Sequence, residues 1–175
     1  MFERFKFTDK EKAEIVDSIV IVIDTREKKN EHIRRVFDEK NVPYVSKKLE
    51  YGDYSFYLKA IPELGIPKDL WFDKEIIIER KGSLEELSGN LTKERARFEK
   101  ELALAPSHKF LLIEDASYRD IAKHNYDTEF NPKSFLASLH AFGFRYDMPF
   151  IFLPKTVSAL FIKKTFEAYL KELLR

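Results

Sequence analysis

No cysteine occurs in the 175 residues, which excludes disulfide bridges and any zinc site built on thiolates, and suits a reducing compartment. No apolar run approaches the length needed to span a bilayer, and the opening Met1-Phe2-Glu3-Arg4-Phe5-Lys6 lacks the apolar stretch of a secretory signal. An intracellular, cytoplasmic protein without a membrane partner is therefore expected. Neither sign of charge dominates: 31 basic against 30 acidic residues leave a net charge of +1, so contact with a polyanion must come from a local patch. One candidate patch is the stretch 26–48, where Arg26, Lys28, Lys29, Arg34, Arg35, Lys40, Lys47 and Lys48 outnumber Glu27, Glu31, Asp38 and Glu39. A solvated helix face explains the same surplus. The four histidines are scattered without metal-ligand spacing. No repeat, low-complexity tract or Gly/Ser-rich linker marks a boundary, so an N-terminal arm (residues 1–17, with Phe2, Phe5 and Phe7 packing onto the rest) and one domain (18–175) are expected.

The apolar content is ample, with 44% hydrophobic residues including 16 Phe, 8 Tyr and 1 Trp, enough for one packed core at this length. Ile19-Val20-Ile21-Val22-Ile23 is a β-branched run of buried-strand length that ends at Asp24. Ile33, Val36 and Phe37 share a helix face, and residues 44–49 and 54–58 read as strands joined in a hairpin through the Tyr51-Gly52-Asp53 turn. Glu75-Ile76-Ile77-Ile78-Glu79 is another buried strand. Ser83 and Glu86 form a capping-box pattern ahead of a helix that Gly89-Asn90 is expected to break, with a second helix from about Thr92 to Ala105. Phe110 to Ile113 and Phe150 to Leu153 read as strands. Asn131-Pro132 opens a helix reaching about Tyr146, and residues 156–174 form the final one. The aromatic cluster Phe135, Phe142, Phe144, Tyr146, Phe150 and Phe152 is read as core packing. Strand-then-helix units in the second half imply an α/β fold: a central mixed sheet flanked by helices.

Three acids lie where a core sheet should exclude charge: Asp24 ending one strand, Asp53 beginning another, and Glu79 closing a third. A carboxylate against buried apolar residues is costly unless a cation or hydrogen bonds compensate. Lys81 follows Glu79 by two residues, so in a strand both share a face, with Arg80 on the other. Clustered carboxylates suit a hard divalent cation such as Mg²⁺, which lowers the pKa of its water, and an adjacent ammonium can neutralise charge developing on a phosphate. On spacing alone, a turn or cap at Asp24 and pairing of Glu79 with Arg80 or Lys81 at a strand end is the stronger account of these residues.

The ordered motifs Asp24-Thr25-Arg26-Glu27, Gly52-Asp53-Tyr54 and Glu79-Arg80-Lys81 resemble those of the XPF-like structure-specific endonucleases of the PD-(D/E)XK superfamily. The similarity spans residues 18–115 and extends more loosely through 154. It implies a restriction-endonuclease-like (XPF-type nuclease) fold, with Asp24, Asp53 and Glu79 as metal ligands and Lys81 as the catalytic lysine. The Arg80 carbonyl becomes a further candidate ligand. It implies Mg²⁺, with Mn²⁺ as a substitute, and branched or flapped DNA as substrate in repair or recombination, with nucleoid association if the source is bacterial or phage. Arg26, Glu27, Arg80 and Arg95 would support the site or contact phosphate, and Tyr51 and Tyr54 would touch nucleic acid. The family carries an Asp four residues after its Lys, whereas this chain has Glu85, one methylene longer. With five glycines and no Gly-hairpin pattern, a helix-hairpin-helix module is not expected, so the chain reads as a nuclease domain standing alone or as a fragment. The resemblance also implies a homodimer and leaves room for a separate helicase or DNA-binding partner. The alternatives are a less structure-selective nuclease and a catalytically silent scaffold of the same fold. Silent members lose the acids and the lysine, and this chain keeps them.

Overall fold

The computed structural model describes residues 6–175, so Phe2 and Phe5 lie outside the described residues. Seven strands form one sheet: β1 (Ile19–Ile23), β2 (Tyr44–Ser46), β3 (Tyr54–Leu58), β4 (Leu70–Trp71), β5 (Ile76–Lys81), β6 (His108–Glu114) and β7 (Phe150–Leu153). Their order is β2-β1-β3-β5-β6-β7, with β4 paired to β3. Helices α1 (Asp9–Asp17), α2 (Glu31–Glu39) and α7 (Ser158–Leu173) cover one face, and α3 (Leu84–Leu91), α4 (Arg95–Leu104), α5 (Tyr118–Lys123) and α6 (Pro132–Arg145) cover the other.

Side-chain alternation divides the interior into two cores. Ile19, Ile21 and Ile23 of β1, Tyr54, Phe56 and Leu58 of β3 and Ile76 and Ile78 of β5 point to the first face. There they meet Ile15 of α1, Ile33 and Phe37 of α2, and Ile162, Phe166 and Leu170 of α7. Leu111 and Ile113 of β6 point the other way, onto Leu84 and Leu87 of α3, Phe98 of α4 and Phe135, Leu139 and Phe142 of α6. The parallel β5–β6–β7 half, joined by helical crossovers, is the arrangement expected from the strand-then-helix rhythm.

Several local expectations are corrected. Residues 44–58 form no hairpin, because β1 inserts between β2 and β3, parallel to the former and antiparallel to the latter. Within the stretch read as an arm, Thr8 and Glu11 form a reciprocal capping box that starts α1, and Phe7 packs against the first core. Gly89-Asn90 does not break α3, which runs on to Leu91 and ends at Thr92. Phe144 is 89% exposed: the buried positions of α6 are Phe135, Leu139 and Phe142, and Phe144 falls off that stripe.

Candidate active site

Strands β3 and β5 pair at one position only, Tyr54 with Ile78, and the turn before β3 completes the join. Asp53 N–H donates to the Ile78 carbonyl at 3.0 Å, while Asp53 Oδ2 accepts from Arg80 N–H at 2.7 Å. The carboxylate thus takes the donor that strand pairing leaves over, which fixes its direction. Gly52 makes the approach possible. Its φ of +71° is in the left-handed region, and a Cβ there would sit 2.8 Å from Ile77 Cβ and Cδ1.

Along β5 the alternation sorts three charges onto two faces. Glu79 and Lys81 face the α3–α4 side, where Lys81 Nζ lies 2.8 Å from Glu79 Oε1, 3.6 Å from Glu86 Oε1 and 5.1 Å from the centroid of the Phe98 ring. Arg80 faces the first core and spans two acids, with Nη1 2.9 Å from Glu27 Oε1 and Nη2 2.6 Å from Glu114 Oε2. His32 Nε2 closes this cluster at 2.9 Å from Glu114 Oε1. Burial would raise the Glu114 carboxyl, but the Arg80 and His32 side chains bonded to it outweigh this and hold it below the ordinary glutamate range. Glu27 goes the other way, because its desolvation outweighs the attraction of Arg80.

Asp53, Glu79 and Lys81 converge on a cleft of about 170 Å³, also lined by Arg26, Tyr51, Asn90 and Arg97. Burial first, then repulsion from Glu79 and Glu27, pushes the Asp53 carboxyl well above the usual aspartate range. Lys81 is held above the ordinary lysine range although burial works against it, because Glu79, Asp53 and Glu86 favour the ammonium. Asp24 lies next to this turn, its N–H donating to the Asp53 carbonyl at 2.8 Å, but it is 1% exposed and does not line the cleft. Its Oδ1 accepts from Arg26 N–H at 2.6 Å and Arg26 Nε at 2.8 Å, and its Oδ2 from Leu49 N–H at 2.6 Å and Arg26 Nη2 at 3.1 Å. These donors outweigh the effect of burial and keep the Asp24 carboxyl below its ordinary range. Among the described residues no group of three or more His, Cys, Asp or Glu side chains is placed to hold a metal ion.

The remaining candidates separate. Tyr51 lines the cleft, whereas Tyr54 is fully buried in the first core, where it cannot touch nucleic acid. Glu85 accepts from Asp127 N–H at 3.0 Å, away from the cleft, and it is Glu86 that approaches Lys81. Glu86 also accepts from Gly82 N–H at 2.9 Å, the reciprocal cap falling one residue earlier than the sequence pattern implies. Arg95 ties α4 to α6, with Nη1 3.3 Å from Ser138 Oγ and its guanidinium 5.0 Å from the Phe142 ring centroid. Arg97, two residues on, is the α4 cation at the cleft. Neither Asn90 nor Arg97 carries a signal in the sequence, since both sit among polar helix positions of ordinary composition.

Sheet order, crossover helices and the acidic turn against β5 define the class of protein: the restriction-endonuclease-like fold in its XPF-type nuclease form. A family model described as the ERCC4 domain matches residues 23–164, and the chain belongs to that family. Among solved structures it is similar to XPF from Aeropyrum pernix, with a TM-score of 0.62 and 18% sequence identity over 88% of this chain and 66% of that one. It is also similar to XPF from Aeropyrum pernix in complex with DNA, with a TM-score of 0.61 and 18% identity over 87% of this chain and 66% of that one. The chain thus spans just under two thirds of each of these solved chains. No curated protein sequence matches it.

Proposed function

We propose that this chain is a metal-dependent endodeoxyribonuclease, with residues 18–175 as its nuclease domain, hydrolysing phosphodiester bonds at branched, flap or junction DNA in repair or recombination. The observation that carries the reading is the convergence of Asp53, Glu79 and Lys81 on one cleft in a member of the ERCC4 domain family. An intracellular setting follows from that substrate.

The donor set fits Mg²⁺, or Mn²⁺ in its place, because Mg²⁺ keeps several waters and is commonly held by one or two carboxylates plus substrate phosphate. Asp53 and Glu79 would hold it. The raised Asp53 carboxyl supports this, since its desolvation and its repulsion from Glu79 are relieved by a cation. Asp24 would join as a ligand only on giving up N–H donors from Arg26 or Leu49, so its first role is to fix the turn beneath Asp53. When bound, the ion supplies Lewis acidity and lowers the pKa of a bound water. Lys81, kept protonated by its carboxylate neighbours, is the donor aimed at charge developing on the phosphate. Tyr51 and Arg97 line the same cleft and would meet a strand bound there.

A panel of fork, flap, junction and plain duplex DNA, incubated with Mg²⁺ or Mn²⁺, tests the reading. Cleavage of the branched members is expected, with loss of cutting on chelation and at least about a hundredfold slower cutting by Asp53→Asn, the scale of losing a preorganised electrostatic contributor. A chain that cuts none of them, or cuts as well with chelator present, removes the proposal.

A homodimer forms part of the same reading. At the start of α7, Leu160 is 55% exposed and Val157 lies beside it on the surface, and α6 adds Phe144. Phe161 is half-buried, edge-on to Phe110 at 6.4 Å between centroids, so replacing it would disturb the core as well as the surface. Leu160→Glu is the cleaner probe. Light scattering at micromolar concentration should give about twice the 20.8 kDa chain mass for the wild type and a shift toward that mass for the variant. A monomer at every concentration rejects the dimer and leaves any second DNA-binding surface, such as a helicase would bring, to another protein.

A further inference from the structure

The basic stretch 26–48 does not act as one patch. Arg34 turns onto Asn30 and Ser46, Arg35 pairs with Glu39, and Lys47 lies over the Trp71 ring. Lys28 and Lys29 differ. Both are exposed, and neither side chain has a hydrogen bond or ion pair among the described residues. They immediately precede Asn30, which leads into α2 without capping it by its side chain. The positive end of a helix dipole disfavours cations there, and Glu31, the acid of the first turn, pairs with neither lysine. Two unpaired cations at that end of a helix do nothing for the local fold, and an anion brought to them would suit both the lysines and the helix.

They open onto a groove of about 730 Å³ that adjoins the catalytic cleft, since Arg26 lines both. Strands β1, β5, β6 and β7 run in one direction and bring their carboxyl ends to it. The acids of the groove already have partners. Glu27 and Glu114, the two least exposed, hold Arg80, and Glu114 also holds His32. Glu86 accepts from Gly82 N–H at 2.9 Å and approaches Lys81, while Ser83 Oγ caps α3. Asp115 accepts from Lys155 N–H at 2.9 Å and pairs with its ammonium at 3.2 Å, which keeps that lysine at the groove. Arg26 is bound to Asp24. What stays open to a ligand is a cationic rim, with Lys28 and Lys29 from one part of the chain and the exposed Lys155 from another.

We infer that this groove is a phosphate subsite: the DNA strand whose scissile phosphate lies at Asp53, Glu79 and Lys81 continues past Arg26 and lays a flanking phosphate against Lys28, Lys29 and Lys155. The inference rests on the nuclease reading above for its ligand and adds the course of the strand beyond the cut. Ammonium groups are point charges on flexible stems, suited to a phosphate backbone and indifferent to base sequence. A contact so far from the reacting atoms holds substrate and transition state alike, so it should appear in affinity and not in turnover.

Phosphate contacts release counterions, so affinity falls with salt by a power of about 0.7–0.9 for each phosphate. Lys28→Ala/Lys29→Ala and Lys155→Ala are compared with the wild type and with a charge-matched control, Lys59→Ala/Lys68→Ala, whose lysines are exposed at the opposite end of β3. Affinity for uncut flapped DNA is measured across a salt series with Ca²⁺ in place of Mg²⁺, alongside kcat and Tm. The double variant should bind at least about fivefold more weakly at ~0.1 M salt, with a log–log salt slope shallower by about one. Lys155→Ala should weaken binding in the same sense. For both, kcat at saturating DNA should stay within about twofold. Tm should hold or rise in the double variant, since cations have left the positive end of a helix. The control should keep wild-type affinity and slope. A double variant that behaves as the control does overturns the inference, and so does a loss of kcat with affinity kept, which would put the lysines in the chemistry. The two readings separate because the binding arm uses uncut DNA. A wild type that binds but cuts nothing removes the nuclease reading, and the slope difference still decides the subsite. A wild type that binds no DNA removes both.

Discussion

Lys81→Ala should slow cleavage by about a thousandfold while changing DNA affinity little, on the scale of removing a preorganised charge donor from a hydrolytic site. Lys81 is 5% exposed, sits over the Phe98 ring and holds Glu79 at 2.8 Å, so the ammonium is locked in position before any substrate arrives. A fixed charge of this kind acts mainly where negative charge accumulates, in the transition state, which makes the expected loss one of kcat. Metal affinity discriminates further. In the free chain Lys81 competes for Glu79, so its removal should leave Mn²⁺ binding unchanged or tighter, as read by calorimetric titration. Lys81→Arg should restore little, because the larger planar guanidinium cannot take the place of a compact point charge at a site this buried. A Lys81→Ala variant that cuts at the wild-type rate would reduce the lysine to a structural partner of Glu79.

The second large effect belongs to the residue between them. Arg80→Ala should destabilise the fold by about 3–5 kcal/mol, the scale for removing one partner of a buried ion cluster. The guanidinium is 6% exposed and is shared by Glu27 and Glu114, so its loss leaves two desolvated carboxylates facing each other. Urea denaturation checks this, and Arg80→Ala should unfold at markedly lower urea than Lys81→Ala. The cluster also sets a pH dependence. Glu114 titrates below its ordinary value of 4.5, so its contribution is complete above that pH and is lost as pH falls through the lowered folded-state value. The advantage of wild type over Glu114→Gln should accordingly be full near neutrality and shrink under acid. An advantage that grows as pH falls would mean that Arg80 does not stabilise the ionised form.

What the sequence revealed, it revealed through period and punctuation. The Ile19–Ile23 run, the Ile76–Ile78 run and the Asn131-Pro132 start each combine a composition with a stop signal, and each forms the expected element. The same-face relation of Glu79 and Lys81 needed only strand alternation. Alternation would also have placed Tyr54 with Phe56 and Leu58 in the core, but the Gly-Asp turn beside it drew the residue toward the site. The failed hairpin has a different origin. Two strands close in sequence pair only if nothing displaces them, and the run that inserts between them, β1, lies upstream, where local pattern carries no information. Asn90 and Arg97 were illegible for a similar reason, because they reach the cleft only through the way α3 and α4 pack over β5. Asp24 was found as an acid out of place, yet its four N–H donors from Arg26 and Leu49 depend on a loop conformation that spacing does not encode.

The position of α7 has a consequence for how the domain comes into being on the ribosome. Ile162, Phe166 and Leu170 of that helix cover a core whose other members come from α1, α2, β1, β3, the 64–72 segment, the start of β5 and Leu112 of β6, and Phe166 lies 5.1 Å from Phe56 between ring centroids. Every one of those partners is synthesised before α7. The α3–α6 layer can close over its own side of the sheet as it emerges, but on the first face the part around the stacked Phe56 and Phe72 waits for Phe166 and Tyr169 of α7. Contacts of such long sequence separation form late and slowly. The first core is therefore completed only when α7 docks, and until then the surface that Ile162, Phe166 and Leu170 cover lacks that helix.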